Sequence, residues 1–350
     1  MQTYNVAIVG ASGAVGAKIL DKLIERSFPI RSIKLLASSR SAGTVIQAAG
    51  RLFTIEEAKP ESFQDIDFAF FSAGGAISEV LAPEAIRRGA AVIDNTSAFR
   101  MDANVPLVVP EVNPQALRNH RGLIANPNCS TIQMVAALNP VKEAYGLERI
   151  IVSTYQAVSG AGADAILELK SQSRQFDSRA GNTAAQLPTA GSERHYPIAF
   201  NVIPQIDVFD SKGYTKEEWK MINETKKILA DESISVSATC VRLPVVTGHS
   251  ESVYIEIGQD GVSAEQLRRK IAEAKGIIVQ DDPAKQEYPM PLAAENQDAV
   301  FVGRIRKDPD HPRGFHLWIV ADNLLKGAAL NSVQIAEKLI EDGIHSRNDN

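Results

Sequence analysis

Residues Val6–Gly16 read VAIVGASGAVG, and this stretch decides the fold of the first part of the chain. Its first four residues form a short, continuous apolar run, which is typical of a parallel strand covered on both faces. Regularly spaced glycines follow, and then a helical pattern in which Val15, Ile19 and Leu23 share one face. A strand, a glycine-rich turn and a helix in this order predict the first unit of a nucleotide-binding sheet.

Further short apolar runs indicate that this sheet continues. They predict strands at Ile33–Ala37, Ile66–Phe71, Ala91–Ile93 and Leu107–Val109. With helical patterns between strands, the rhythm is that of a doubly wound α/β domain.

The second half of the chain differs in the composition of its predicted strands and in the order of its predicted elements. Its strands are rich in Val, Ile, Ser and Thr, and long helical patterns lie between them, which predicts a more antiparallel sheet. We therefore predict an α/β protein with a Rossmann-type parallel-sheet domain at 1–129 and an α+β domain at 130–323. A C-terminal helix within 324–350 is expected to return to the first domain.

The glycine turn meets two needs of a dinucleotide pyrophosphate. Gly10, Gly13 and Gly16 permit a tight turn and a close backbone approach at the start of a helix. The spacing is GxxGxxG, which is less common than GxGxxG, so a tight turn without a ligand is the alternative.

The residues after the second predicted strand bear on the choice of cofactor. NAD sites commonly place an acidic residue there, whereas an arginine can accept the 2′-phosphate of NADP. Here the strand ends in Ser38–Ser41, which includes Arg40 and no carboxylate. This pattern favours NADP, and a solvated surface arginine is the alternative.

Cys129 precedes an apolar helical stretch, and a helix N-terminus favours the nucleophilic thiolate. The alternative is a small buried hydrophobe, which is the interpretation that we give to Cys240 inside a predicted strand. A nucleophilic cysteine needs a partner that moves protons. His249 follows Thr247 and Gly248 in a predicted turn between two strands, where it could serve catalysis or merely bond to backbone.

Several classes of function are excluded by composition. Net charge is −5, and the basic residues form no cluster, so we expect no nucleic-acid or anionic-membrane partner. Glycines interrupt the apolar N-terminal run, which argues against a signal peptide, and no stretch has the length of a membrane span. The two cysteines lie far apart, which indicates a reducing compartment, and we expect a cytoplasmic protein. No zinc-site spacing occurs, so no metal is expected.

The chain resembles the aspartate-semialdehyde dehydrogenase family in its motifs and in their order. The motifs are GASGAVG at Gly10–Gly16, SSRSAG at Ser38–Gly43, DNTSAFR at Asp94–Arg100, VPEVN at Val109–Asn113, NPNCSTIQ at Asn126–Gln133, STYQAVSGAG at Ser153–Gly162, EEWK at Glu217–Lys220, CVRLPVVTGHSESVYIE at Cys240–Glu256, FVGRIRKD at Phe301–Asp308 and DNLLKGAA at Asp322–Ala329. Ser12 stands where the family commonly has Thr, and it keeps the hydroxyl group. Only Phe176–Ser192 and Gly276–Asp298 resemble the family weakly.

The resemblance implies a reaction and its catalytic residues. The reaction is reduction of L-aspartyl-4-phosphate to aspartate semialdehyde with NADPH, with release of phosphate. Cys129 would be the nucleophile that carries a thioester, and His249 the general acid/base. Gln156 would orient the substrate.

The same resemblance implies the binding residues. Arg242 would bind the substrate α-carboxylate and Glu217 its ammonium, while the phosphate would be held by Arg100, Asn128 and Lys220. An amino acid phosphate presents these three charged groups, so the residue types are suitable. Arg242 lies in an apolar strand, where an unpaired charge would be costly, so a partner is expected there.

The implied cofactor is NADP. Its binding residues would be Gly10, Ser12, Gly13, Ala14, Val15, Ser38, Arg40, Ser41, Ser159, Gly160 and Asn323. The family also implies a homodimer, with the second domain serving both catalysis and dimerisation.

Three rival interpretations stay open. N-acetyl-glutamyl-phosphate reductase shares the fold, the thiol chemistry and the cofactor, but its substrate has no free ammonium, which would leave Glu217 unexplained. Glyceraldehyde-3-phosphate dehydrogenase shares the thiol chemistry but not these motifs. A catalytically silent paralogue that binds a nucleotide or a protein partner would be expected to lack Cys129 or His249, and both are present.

Overall fold

The computed structural model describes residues 2–48, 50–174 and 183–344. The chain divides into two compact units. Unit 1 comprises Met1–Asn128 and Ala328–Asn350, and unit 2 comprises Cys129–Gly327. Cys129 is therefore the first residue of unit 2, and the chain returns to unit 1 at Ala328.

Strands and helices alternate along most of the chain. The strands are β1 Tyr4–Val9, β2 Ile30–Ala37, β3 Val45–Ala48, β4 Arg51–Glu57, β5 Phe68–Phe71, β6 Ala91–Asp94, β7 Leu123–Ala125, β8 Arg149–Gln156, β9 Ser235–Arg242, β10 His249–Glu256, β11 Ile277–Val279, β12 Val300–Lys307 and β13 Gly314–Ala321. The helices are α1 Ala14–Glu25, α2 Gly75–Arg87, α3 Cys129–Tyr145, α4 Ala163–Arg174, α5 Lys216–Leu229, α6 Ala264–Ala272, α7 Pro291–Ala294 and α8 Leu330–Glu341. No helix in the described part of the chain combines the length and the apolarity that a membrane crossing requires.

Unit 1 contains a seven-stranded sheet in the order β3-β4-β2-β1-β5-β6-β7. Only β3 and β4 pair antiparallel, because they form a hairpin at the edge of the sheet. The strand order reverses beside β1, which pairs with β2 on one side and β5 on the other. Ligands of such sheets bind in the crevice at the carboxyl ends of the strands where the order reverses.

Alternate side chains of β1 enter two different cores. Val6 and Ile8 pack on the face that is covered by α1 and α8. Ala7 and Val9 pack on the opposite face with α2. Coverage on both faces explains why this strand is apolar at consecutive positions. The α/β class predicted from the sequence is confirmed.

The predicted strand at Leu107–Val109 is wrong, since this segment forms only an isolated bridge between Leu107 and Ala125. Towards β7 the segment makes only two ladder bonds, Val108 N to Ala125 O at 3.2 Å and Ala125 N to Pro106 O at 2.9 Å, and the side chain of Asn113 takes the backbone groups that point away from β7. It accepts from Val109 N at 2.9 Å and donates to Leu107 O at 2.9 Å. The strand that pairs with β6 is β7, which the short sequence pattern did not reveal.

Unit 2 contains a six-stranded mixed sheet in the order β11-β12-β13-β10-β8-β9. The central strands β12, β13, β10 and β8 are antiparallel, whereas the β8–β9 and β11–β12 pairs are parallel. Helix α3 contacts this sheet, and every residue from Ser130 to Leu138 is buried. The opposite, outer face carries the partly exposed rings of Tyr155, Tyr254 and Trp318.

Candidate active site

The glycine turn of unit 1 packs too closely for side chains at two positions. Gly10 has a φ of +89°, and a Cβ there would lie 2.8 Å from the backbone carbon of Ser72. A Cβ on Gly16 would overlap the carbonyl oxygen of Gly10. The Gly16 contact holds the first turn of α1 against the end of β1, and the Gly10 contact holds that end against the residue after β5. This is the close approach that a pyrophosphate site requires.

Helix α1 begins at Ala14 without a capping side chain. Gly13 is the N-cap residue, and the first turn contains no acidic residue. The N–H groups of the first turn have no partner within the helix, and they carry the positive end of the helix dipole. This end of α1 suits a bound phosphate group.

A cavity of about 480 Å³ lies beside this turn in unit 1. Its lining includes Gly10, Ser12 and Gly13 from the turn, and Ser38 and Arg40 from the segment after β2. Ser38 accepts the backbone N–H of Ser41 at 2.9 Å, so these residues form a tight turn. The cavity therefore combines an anion-binding helix start with an exposed guanidinium, and its residues fit a dinucleotide.

Glu57 also lines this cavity, but its carboxylate is already paired. Lys59 Nζ lies 2.7 Å from Glu57 Oε2. The negative charge of Glu57 is thus partly offset, and Arg40 remains the cation that faces the cavity from the end of β2.

The loop that leads into Cys129 is held rigidly within unit 1. Arg100 is buried and donates from Nε to Asn126 O at 2.9 Å and from Nη2 to Asn95 O at 2.7 Å. Asn126 Oδ1 accepts from the Asn331 amide at 2.7 Å. Asn128 is also buried. Arg100 and Asn128, both predicted to bind phosphate, are therefore buried in unit 1, and Arg100 binds the backbone two residues before Asn128.

Cys129 is the first residue of α3 and is partly exposed, whereas Cys240 is fully buried in β9. A Cβ on Gly327 would lie 2.7 Å from the Cβ of Cys129, so only glycine fits there. Sequence reasoning did not single out Gly327. Its only signal in the sequence was its place in the family motif DNLLKGAA at Asp322–Ala329.

Strand register brings three predicted site residues together in unit 2. Gln156 and Arg242 are direct neighbours at the carboxyl ends of the parallel strands β8 and β9. His249 is the first residue of β10, which runs antiparallel to β8 and starts at the same edge. The sequence interpretation had placed His249 in a turn, and this was wrong by one residue. All three side chains are buried.

The ring of His249 is neutral in the folded chain. Its Nδ1 accepts the backbone N–H of Ala157 at 3.1 Å, so the ring proton is on Nε2. Gln156 Nε2 lies 3.4 Å from that nitrogen. Burial, and secondarily the Arg242 charge, lower the pKa of His249 to about 3. His249 is therefore suited to donate from Nε2 at neutral pH.

A neutral buried His249 has a consequence for stability. The unfolded ring takes up a proton near pH 6.5 and the folded ring only near pH 3, so the unfolded chain binds more protons between these values. Stability should fall as pH decreases through this window, with a contribution from His249 of up to about 1.4 kcal/mol per pH unit. His249→Asn should remove that contribution from urea-unfolding curves between pH 6.5 and 5. His195→Asn is the control that should keep it, and equal slopes in wild type and His249→Asn would contradict neutral burial.

Arg242 is a buried cation with an open hydrogen-bonding position. Its Nη1 donates to Ala157 O at 2.7 Å, but its Nε has no hydrogen-bond partner among the described residues. Burial lowers the pKa of Arg242, while Glu217 and Cys129 act in the opposite direction. Arginine stays protonated in proteins, so the site needs an anion.

Glu217 places a buried carboxylate at the start of α5. Its Oε1 accepts from Gln156 Nε2 at 3.1 Å, and its Oε2 accepts from Lys220 Nζ at 3.0 Å. Thr215 and Glu218 form a capping box that fixes this helix start. Unit 2 thus presents the carboxylate of Glu217 and the guanidinium of Arg242. Gln156 is next to both, since it donates to Glu217 and is the strand neighbour of Arg242.

Ser159, Gly160 and Asn323 lie together in the same unit. Asn323 donates to Ser159 Oγ at 2.9 Å and accepts the backbone N–H of Gly248 at 2.9 Å. A Cβ on Gly160 would approach Arg242 Nη1 to 3.0 Å and the His249 ring to 3.4 Å. These residues therefore brace the start of β10 and leave room for the Arg242 and His249 side chains.

Family models match both parts of the chain. Residues 5–120 match the semialdehyde dehydrogenase NAD binding domain, and residues 138–326 match the semialdehyde dehydrogenase dimerisation domain. The first match supports a nicotinamide cofactor. The class of protein is thus a semialdehyde dehydrogenase.

Individual relatives narrow this class. The chain is 59% identical to an aspartate-semialdehyde dehydrogenase of Bacillus subtilis, with 96% of this chain and 97% of the relative covered. A Vibrio cholerae aspartate semialdehyde dehydrogenase II, solved as a complex with ASA, superposes with a TM-score of 0.91 at 46% identity, covering 98% of this chain and 99% of the other. A Candida albicans aspartate semialdehyde dehydrogenase with NADP gives a TM-score of 0.76 at 25% identity, covering 98% and 100%. The chain belongs to the aspartate-semialdehyde dehydrogenase family of oxidoreductases, which confirms the resemblance of its motifs.

Proposed function

We propose that the chain converts L-aspartyl-4-phosphate into L-aspartate 4-semialdehyde with NADPH, a step in the biosynthesis of lysine, diaminopimelate, methionine and threonine. The observation that carries this proposal is the pair of opposite charges in unit 2. Arg242 is a buried guanidinium whose Nε has no hydrogen-bond partner among the described residues, and Glu217 is a buried carboxylate. An α-amino acid presents the complementary carboxylate and ammonium.

Each charged group of the substrate has a proposed partner. The α-carboxylate would take the Arg242 guanidinium, and the ammonium would take Glu217. Lys220, which already bonds to Glu217, is assigned to the phosphate. In unit 1 we assign Arg100 and Asn128 to the phosphate as well. A substrate without a free ammonium would leave Glu217 without this partner, which disfavours N-acetyl-glutamyl phosphate.

The covalent chemistry is assigned to Cys129. Its thiolate forms a C–S bond to the acyl carbon, and the C–O bond to phosphate breaks with its electron pair leaving on phosphate. The N–H groups at the start of α3 have no acceptor within the helix itself, and they are suited to stabilise the oxyanion that forms in between. Gln156 would hold the acyl group beside them. The product of this step is a thioester on Cys129.

The second half of the reaction frees the aldehyde. NADPH, when bound, supplies the hydride that reduces the thioester. His249 donates from Nε2 to the carbonyl oxygen as that oxygen takes up negative charge. Collapse then breaks the C–S bond, and the electron pair returns to sulfur as thiolate.

The direct test is turnover in the oxidative direction. Wild-type enzyme with aspartate semialdehyde and NADP should form NADPH steadily only when phosphate is present. Turnover with N-acetyl-glutamate semialdehyde instead would assign the chain to the neighbouring reductase. Turnover with neither aldehyde would favour a catalytically silent binding protein.

We infer that NADP is preferred over NAD and bound by the residues of the unit 1 cavity. Gly10, Ser12, Gly13, Ala14 and Val15 would hold the pyrophosphate. The 2′-phosphate would be held by Ser38, Arg40 and Ser41, and contacts to the nicotinamide half are assigned to Ser159, Gly160 and Asn323. Support comes from the exposed guanidinium of Arg40 at the end of β2, where NAD sites place a carboxylate.

Replacement of Arg40 tests this preference. Arg40→Ala should raise the KM for NADPH by about tenfold, because it removes one charge-assisted contact to the 2′-phosphate. The KM for NADH, which lacks that phosphate, should not change. Arg121→Ala, an exposed arginine outside the cavity, is the matched control. Equal changes with NADPH and NADH would contradict the assignment.

We propose a homodimer formed through the outer face of the unit 2 sheet. The Tyr155 and Trp318 rings lie 5.5 Å apart there and are only partly covered, which is typical of an interface. The match to a dimerisation domain over residues 138–326 supports dimerisation through this unit. Tyr155→Asp should shift the sedimenting species from dimer to monomer. Sedimentation of wild type as a monomer would overturn this proposal.

We also place the protein in the cytoplasm. Both cysteines, Cys129 and Cys240, are free thiols, and the proposed mechanism needs the first of them reduced.

A further inference from the structure

A buried carboxyl group in unit 2 has no part in the mechanism above. Glu251 of β10 is fully buried, and neither of its carboxyl oxygens has a hydrogen-bond partner in the described ranges. Gln133 of α3 is equally buried, and its Oε1 also lacks a partner. Three buried acceptor oxygens without a donor among the described residues are costly, so this arrangement requires a donor.

Glu251 and Gln133 lie directly behind two residues of the proposed machinery. Gln133 follows Cys129 by four residues on α3, so both lie on one helix face. Glu251 follows His249 by two residues on β10, so both point to one face of the sheet. Gln133 Nε2 donates to the backbone O of His249 at 3.3 Å and ties α3 to β10 at that residue.

The surroundings of Glu251 favour its neutral form. Burial raises the pKa of Glu251 well above its ordinary value, and the adjacent Gln133 side chain, which is close to the carboxyl group but makes no hydrogen bond of good geometry with it, opposes this rise only in part. The nearby thiol of Cys240 is influenced by Glu217, Glu218 and Glu251 together, so three acidic side chains share this region. A second or third negative charge there would be repelled. A protonated carboxyl group carries the O–H donor that the arrangement lacks.

We propose that Glu251 is held as a neutral carboxylic acid that donates a hydrogen bond to Gln133 Oε1, and that this pair positions His249. One proton satisfies the orphaned amide oxygen and fixes the Gln133 amide, whose nitrogen holds the carbonyl of His249. Glu251 and Gln133 are positioning residues, since neither touches the reacting atoms. The proposal rests on the proposed function for its effect on turnover, but the protonation of Glu251 stands apart from it.

Matched variants separate positioning from mere packing. Glu251→Gln keeps a neutral donor of the same shape, so it should retain kcat within about threefold. Glu251→Leu fills the site with an apolar side chain that has no donor, and it should lower kcat roughly 10- to 100-fold with little change in the KM for aspartate semialdehyde. Thr225→Val is the control, because it removes another buried oxygen of unit 2 that has no partner in the described part of the chain, and it should leave kcat unaffected.

Two readouts do not depend on turnover. At pH 7 the infrared difference spectrum of wild type minus Glu251→Gln should show the carbonyl band of a protonated carboxylic acid. The folded chain holds this proton above the pH at which an unfolded glutamate loses it, so the Glu251 contribution to wild-type stability should fall as pH rises above the ordinary pKa of 4.5, with a sign opposite to that of the His249 contribution. Glu251→Gln should lack this part of the slope.

Specific outcomes would overturn the proposal. A carboxylate band instead of a carboxylic-acid band at pH 7 would show that Glu251 is charged. A kcat for Glu251→Leu equal to that of Thr225→Val, or a kcat for Glu251→Gln as low as that of Glu251→Leu, would remove the positioning role. Failure of the wild type to oxidise aspartate semialdehyde would overturn the proposed function instead, and the infrared result would still report on Glu251.

Discussion

Cys129→Ala should lower kcat by about 10⁴-fold or more in both directions of the reaction. Alanine cannot form the C–S bond, so the reaction loses the thioester and not merely one stabilising contact. Cys129 is partly exposed at the start of α3. Alanine keeps the Cβ that packs against Gly327 and adds no atom there. The fold should therefore survive, and circular dichroism and unfolding curves should match those of the wild type.

Cys240→Ala is the matched control for this prediction. Cys240 is fully buried, and burial raises the pKa of its thiol, so it is a poor nucleophile. This variant should keep kcat and lose only stability. Iodoacetamide should likewise inactivate the wild type by alkylating Cys129 and leave Cys240 unmodified in the folded chain. Substantial activity in Cys129→Ala would exclude the thioester route for any substrate.

Arg242→Met should lower kcat/KM for aspartate semialdehyde roughly 100- to 1,000-fold. The variant replaces a buried guanidinium by an apolar chain and so removes the proposed partner of the α-carboxylate. Arg242→Lys should recover only part of the loss, because an ammonium cannot reproduce the fork of two parallel N–H groups. Arg269→Met, at an exposed position of α6, should have no effect.

The substrate itself supplies the second control for Arg242. 3-Aminopropanal has the aldehyde and the ammonium but no carboxylate. Its kcat/KM should be low with the wild type and should not fall further in Arg242→Met. If the variant lowered kcat/KM equally for both aldehydes, Arg242 would act on something other than the carboxylate.

The sequence predicted the sheet of unit 1 best where burial on both faces leaves a continuous apolar run, as at Val6–Val9. It failed at Leu107–Val109, where apolar residues are buried but the segment pairs with β7 only at the Leu107–Ala125 bridge, and Asn113 takes the backbone groups on its other side. That competition depends on a loop conformation, and hydrophobic pattern carries no information about it.

The location of Cys129 at a helix start could be predicted, because the apolar pattern of α3 begins directly after it. The proximity of Gln156, Arg242 and His249 could not be predicted, because it depends on the register of three strands that are far apart in sequence. The close packing of Gly327 against Cys129 is equally non-local. The burial of Glu251 could be predicted from the sequence, because Glu251 shares one face of β10 with the apolar residues Val253 and Ile255.

The most direct test of the account is to trap the acyl-enzyme. Wild-type enzyme is mixed with aspartate semialdehyde and NADP without phosphate, quenched in acid and digested, and the Cys129 peptide is examined by mass spectrometry. We predict that this peptide carries one aspartyl group as a thioester, that added phosphate removes the group, and that the Cys240 peptide is unmodified. NADPH formation without any acyl group on Cys129 would contradict the central claim.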